Sequence, residues 1–220
     1  IIVSGTRRIL DFASHTGCKR LLFVSSGAVY GEQPTNLGCI PETHPCNPVS
    51  AYGKGKLVAE NRCKTSTTDC VIARCFAFVG PDMPLDAHFA IGNFIGNCLK
   101  NEPISIRGDG SSIRSYLYSS DLAEWLLQIL HNGRSGDAYN VGSNEAISIA
   151  SLANLVKSVA RTDNCIQFES QKMHEGAASR YVPCVEKVRQ ELNLSSRTSI
   201  RDSVDLTLSW FEKTENESCY

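Results

Sequence analysis

No stretch of this chain approaches the roughly 20 consecutive apolar residues of a membrane-spanning helix. The two most apolar runs, LLFV at 21–24 and VIARCFAFV at 71–79, are strand-sized and interrupted. An excess of one charge is also missing. Lys and Arg number 22 against 23 Asp and Glu, for a formal net charge of −1 and a pI near 6.6. That balance gives no electrostatic footing for nucleic acid or an anionic membrane. The ten cysteines contain no CxxC, and no Cys/His grouping has zinc spacing, so no metal site is expected. Cys75 and Cys98 sit inside apolar runs, where cysteine acts as a small hydrophobe. The expectation is free thiols in a reducing cytoplasm, with disulfides as the alternative. Internal repeats and low-complexity tracts are absent as well.

What is present is ordinary for a globular protein: 42% hydrophobic and 20% charged residues in 220, enough to bury a core. The first residues, IIVSGTRRIL, read as the inside of a helix, with Val3, Ile9, Leu10 and Ala13 near one face. The chain is therefore expected to begin part-way through an element, as a fragment. A helix over 3–16 should end at Gly17, followed by a buried strand over 19–25. Prolines and turn residues make 31–49 a surface loop. Ser50 should N-cap a helix to about Lys64, and 70–79 should be a second buried strand closed by Gly80-Pro81. Strand, helix, strand without alternation argues for a parallel sheet covered on both faces.

Beyond Pro81 the reading gives a helix over 87–100, a strand at 104–106 and a turn at 108–110. Ser119, Ser120 or Asp121 should cap the helix LAEWLLQIL. A strand at 138–141, a helix from Ser148 to about 161, and helices over 184–192 and 199–213 complete the chain.

Tyr52 and Lys56 stand four residues apart, on one face of their helix. Ser26 falls at the carboxyl end of its strand, where open α/β sheets bind ligands. A free tyrosine phenol titrates near 10, so a tyrosine base at neutral pH needs about 4 kcal/mol of help. An ammonium about 4 Å away supplies that much at an effective dielectric near 20. A serine hydroxyl donates and accepts at once and can relay the proton.

The segments SSGAVYGE, PE at 41–42, NP at 47–48, SAYGKGKLVAE, ARCFAFVGP, IRGDGSSIRSYLYSSDLA, YNVGS and SRYVP closely resemble the extended short-chain dehydrogenase/reductase family. The likeness is to its NAD-dependent nucleotide-sugar epimerase/dehydratase group and covers nearly the whole chain. It implies an α/β fold: a Rossmann-like, doubly wound parallel sheet, incomplete at its N-terminal half, with a smaller C-terminal substrate lobe. Residues 1–80 would belong to the cofactor domain and 81–220 mainly to the lobe, with segments near 113–141 returning.

The resemblance also assigns roles. Ser26, Tyr52 and Lys56 match the catalytic residues, Tyr52 being the acid/base. Ser25, Tyr52, Lys56 and Cys75 fall on the cofactor side, Lys56 holding the nicotinamide ribose of NAD. Ser26, Arg114, Asn144 and Tyr181 fall on the side of a nucleotide-diphosphate sugar, Arg114 gripping the diphosphate. Asp121 is read as a helix cap. A homodimer is implied through the helices at 3–16 and 50–64.

Departures from the family pattern decide the reaction expected. Ala77 stands where an asparagine is usual, His174 where an arginine is usual, and Gly55 where serine or alanine is usual. Dehydratases carry Asp-Glu directly after the catalytic hydroxyl residue, and decarboxylases a Glu at the second of those positions. Here they are Gly27 and Ala28, which transfer no proton. A 4-epimerase is therefore expected, with a 4,6-dehydratase or a non-catalytic sugar-nucleotide binder as alternatives. The Gly-rich strand-to-helix turn that cradles the dinucleotide pyrophosphate follows none of the expected strands, so the chain alone is expected to be inactive.

Overall fold

The computed structural model describes residues 1–87, 89–169 and 178–217. In chain order the elements are α1 (Ile2–His15), β1 (Arg20–Ser26), α2 (Ala51–Lys64), β2 (Asp69–Cys75), β3 (Phe78–Val79), α3 (Ala90–Leu99), β4 (Ile104–Ile106), β5 (Ile113–Arg114), β6 (Leu117–Tyr118), α4 (Ser119–Asn132), β7 (Ala138–Val141), β8 (Ile147–Ser148), α5 (Ile149–Val159), β9 (Ile166–Phe168), β10 (Arg180–Tyr181), α6 (Glu186–Leu192) and α7 (Ile200–Glu217). A single 3-10 turn, Gly27–Val29, follows β1.

The chain divides into two compact units. The first holds residues 1–76, 122–144 and 181–195, and the second holds 77–121, 145–180 and 196–220.

The first unit is built on a parallel sheet in the order β1-β2-β7. Its register runs from Arg20 opposite Asp69 to Ser26 opposite Cys75, so the two strands end level. Parallel neighbours need a crossover, and α2 supplies it. The helix starts where Ser50 Oγ accepts from Gly53 N at 3.0 Å, the cap that the sequence predicts. Leu10, Cys63, Cys70, Ile72 and Ala138 form one core cluster, and Val29, Tyr30 and Ile40 another.

The second unit packs α3, α5 and α7 around Ile91, Phe94, Ile95, Ile104, Leu152, Val156 and Val204. Small sheets flank this core: β4 pairs with β9 in parallel, and β5 pairs with β8 antiparallel.

Three expectations change. The strand expected over 70–79 ends at Cys75, one rung before the last β2–β7 bond, Phe76 N to Val141 O at 3.0 Å, and resumes as the two-residue β3. Coverage on both faces fails at β1, which lies at the sheet edge and leaves Val24 45% exposed. In α1, Leu10 and Ala13 are buried as expected, whereas Ile9 is exposed.

Candidate active site

The carboxyl end of β1 passes straight into the 3-10 turn, and Ser26 Oγ accepts from Ala28 N at 3.2 Å to start it. The first turn of α2 lies directly on that turn. A Cβ placed on Gly53 would stand 2.5 Å from Ala28 O and 2.9 Å from Pro48 Cβ. Glycine at 53 thus sets how closely the helix bearing Tyr52 and Lys56 approaches the turn bearing Ser26.

Tyr52 is 50% exposed. Lys56 Nζ donates to Val24 O at 2.7 Å and sits 5.1 Å from the Phe23 ring centroid and 5.7 Å from that of Tyr52. The ammonium is therefore fixed by a strand carbonyl and two aromatic faces. Cys75, level with Ser26, has its thiol pushed up to about 12 by burial, against the opposing pull of Lys56. It is a neutral thiol at ordinary pH rather than a nucleophile.

Tyr181 reaches the same place from another segment. Val182 N donates to Gln33 Oε1 at 2.9 Å, Ile40 N to Val182 O at 2.9 Å and Cys184 N to Ile40 O at 2.9 Å. The strap carries the Tyr181 ring to 4.6 Å from the Phe76 ring, centroid to centroid. A Cβ on Gly27 would stand 2.6 Å from Tyr181 Oη and 2.7 Å from Phe76 Cζ. The space beside Ser26 is already filled by these two aromatics.

The Ser25 side chain turns inward. It is 2% exposed, and its hydroxyl donates to Glu60 Oε1 at 2.6 Å. Asn144 follows β7 and is exposed. Arg114 belongs to the second unit, where its guanidinium donates to Ile113 O at 2.8 Å and to Ser179 Oγ at 3.1 Å. Asp121 does not cap α4, which already begins at Ser119. Its Oδ2 accepts from Arg197 N at 3.0 Å and Thr198 N at 3.1 Å. Ala77 packs against the core of the second unit. His174 lies outside the described residues. Among the described residues, no group of His, Cys, Asp and Glu could hold a metal ion.

Sequence reasoning missed the polar network beneath α2. Arg74 and Glu60, 4% and 0% exposed, meet through Nη2 and Oε2 at 2.8 Å and Nε and Oε1 at 3.1 Å. Arg74 Nη1 continues to Tyr30 Oη at 2.9 Å, which donates to Asn140 Oδ1 at 2.8 Å. The signal was present, since a charged residue inside the buried run VIARC requires a partner. A cavity of about 560 Å³ in this unit opens at the other end of the sheet, beside Gly136–Ala138. Two pairs of its charges meet there, Lys187 with Asp137 at 2.9 Å and Arg134 with Glu191 at 3.6 Å.

The model of the NAD-dependent epimerase/dehydratase family matches residues 1–142. The chain belongs to this family. UDP-glucuronic acid decarboxylase 1 of Arabidopsis thaliana is 29% identical over 216 residues, covering 95% of this chain and 49% of the plant protein. A dTDP-glucose 4,6-dehydratase of Actinoplanes is 29% identical over 212 residues, covering 94% of this chain and 64% of that protein. The chain thus spans about half the length of the decarboxylases it matches. UDP-glucose 4-epimerase of Thermotoga maritima, solved with UDP-glucose, superposes with a TM-score of 0.88 at 23% identity, over 97% of this chain and 70% of that one. The Rossmann-like α/β fold expected from the resemblance is therefore the fold of this epimerase/dehydratase chain.

The residues present fit one end of the family's cofactor. A phenol and an ammonium on α2, with a hydroxyl at the end of β1, suit hydroxyl groups of a ribose and a sugar. Among the described residues, no strand leads through a glycine-rich turn into a helix N-terminus.

Proposed function

We propose that this family member serves an NAD-dependent 4-epimerase acting on a nucleotide-diphosphate sugar. The observation that carries the reading is the filled space at Gly27. An acid there would collide with Tyr181 and Phe76, and Ala28 carries no proton to transfer. Reversible oxidation at one carbon needs neither. NAD, whose nicotinamide ribose Tyr52 and Lys56 would hold, would supply a reversible hydride acceptor for that carbon. Tyr52 takes the proton of the sugar hydroxyl, relayed by Ser26, and later gives it back. Lys56 stabilises the phenolate electrostatically and holds the ribose. In the first unit Asn144 takes the nucleotide and the Tyr181–Phe76 wall bounds the sugar, while Arg114 is the residue that the resemblance assigns to the diphosphate. Bidentate guanidinium donors match phosphate oxygens.

The protein works as a homodimer in this reading. Ile9 and Phe12 on α1 and Val58 on α2 are exposed apolar residues on two helices packed together. Every described cysteine is free, and this supports a reducing compartment, the cytoplasm, in this reading. No helix among the described residues is long and apolar enough to cross a membrane.

The test is turnover of UDP-glucose and UDP-galactose with NAD⁺ in the longest natural form of the protein. Interconversion of the two sugars is expected, falling about 10²–10⁴-fold in Tyr52→Phe. A 4-keto-6-deoxy product would overturn the epimerase reading in favour of elimination. Wild-type turnover in Tyr52→Phe would remove the site.

A further inference from the structure

We infer that Ser25, Glu60 and Arg74 are positioning residues that hold the Tyr52–Lys56 helix in register with the strand end carrying Ser26. Glu60 lies one turn after Lys56 and two turns after Tyr52 on α2. Its carboxylate takes Ser25 Oγ of β1 at 2.6 Å, and Arg74 Nε and Nη2 of β2 at 3.1 and 2.8 Å. One side chain thereby ties the helix to both strands beneath it.

The ties form two rungs. Val24 O holds Lys56 at 2.7 Å, and the next residue of the strand, Ser25, holds Glu60, the next turn of the helix. A helix packed on a sheet by apolar contacts alone can shift and rotate, because those contacts are not directional. Three hydrogen bonds to one carboxylate fix both movements. The far side of the arginine is fixed as well, through Tyr30 to Asn140 of β7, so all three strands of the sheet are included.

Stability alone does not account for this arrangement. Well-packed apolar residues of the same volume commonly stabilise a fold as much as a buried ion pair does. What the charged set adds is direction, and here it is directed at the helix carrying the proposed reacting groups. The inference rests on the reading of Ser26, Tyr52 and Lys56 as those groups, but its test uses no substrate and no turnover.

The experiment is ¹⁵N-lysine NMR of the 220-residue chain, with the Lys56 ammonium assigned through Lys56→Arg. Its bond to Val24 O slows exchange of the ammonium protons with water. In Ser25→Ala the exchange should accelerate about tenfold, the loss expected when the neighbouring rung goes. Ser25→Thr, which keeps the hydroxyl, should restore slow exchange. Ser25→Cys, close in volume and a weaker donor, gives an intermediate rate and replaces Ser25→Ala if that variant does not fold. A lowered thermal midpoint with unchanged Lys56 exchange would overturn the inference, leaving Ser25 a merely structural residue. Equal acceleration in Ser25→Thr and Ser25→Ala would also overturn it. A failed epimerase assay would leave this result standing.

Discussion

Glu42 is held in the folded chain at a cost that depends on pH. Burial raises its carboxyl above the usual range, opposed by the hydrogen bond from Asn140 N and by the nearby Lys187 and Arg74. The folded chain therefore binds this proton more tightly than the unfolded chain does. Its contribution is complete below the ordinary carboxylate range and is lost as pH rises through the raised value. Glu42→Gln keeps the acceptor for Asn140 N at 2.9 Å and is neutral throughout. The thermal midpoint of Glu42→Gln relative to the parent should be higher at pH 7 than at pH 4, read by calorimetry at both. An equal difference at the two values would show that burial does not govern this carboxyl. Singly placed residues were the most legible feature of the sequence. Ser26, Tyr52, Lys56 and Tyr181, each singled out by local pattern and resemblance, fall in one unit. The inward bond of Ser25 was not legible, because neighbours on a strand point to opposite faces and its partner, Glu60, is 35 residues away.

At the scale of elements, two glycines in α2 make opposite demands. A Cβ on Gly53 would enter the backbone of Ala28 at 2.5 Å, whereas one on Gly55 would meet Ile2 Cδ1 at an ordinary 3.5 Å. Alanine in a helix interior is worth about 1 kcal/mol over glycine. Gly55→Ala should therefore stabilise the chain by about 0.5–1 kcal/mol. Gly53→Ala should destabilise it by about 1–3 kcal/mol, because backbone must move to admit the methyl. Urea denaturation of both variants checks the pair, and the same sign for both would refute the packing argument. The sequence placed α2 correctly because its cap, Ser50, is local. It missed β5, β6, β8 and β10, each two residues long and too short for any periodicity. The break after Cys75 was equally hidden, since VIARCFAFV continues its apolar run across the boundary between units.

For the whole molecule, the parallel sheet and the family were legible, while the assignment of segments to two units depended on contacts far apart in sequence. The second unit recruits residues 77–121, 145–180 and 196–220, which no local pattern joins. Cofactor binding belongs to this scale too. Without a glycine-rich turn at a helix N-terminus among the described residues, the 220-residue chain should bind NAD⁺ weakly, with a Kd of about 1 mM or more. The anion-binding helix end that holds a pyrophosphate is what such a chain would have to do without. Calorimetry with NAD⁺ and UDP-glucose checks this, and micromolar NAD⁺ binding would show that the pyrophosphate is held by residues not recognised above.

The Glu60 network also has a kinetic consequence. Helix α1 buries only Leu10 and Ala13, and it has no side-chain cap at its start. Helix α2 is tied to two strands by a fully buried carboxylate. The two neighbouring helices therefore belong to different cooperative units of opening. Hydrogen exchange should show the α1 amides opening in fluctuations that leave α2 protected from Gly53 onward. The residues proposed for proton transfer thus ride on a helix tied to two strands, beside one that buries only two side chains.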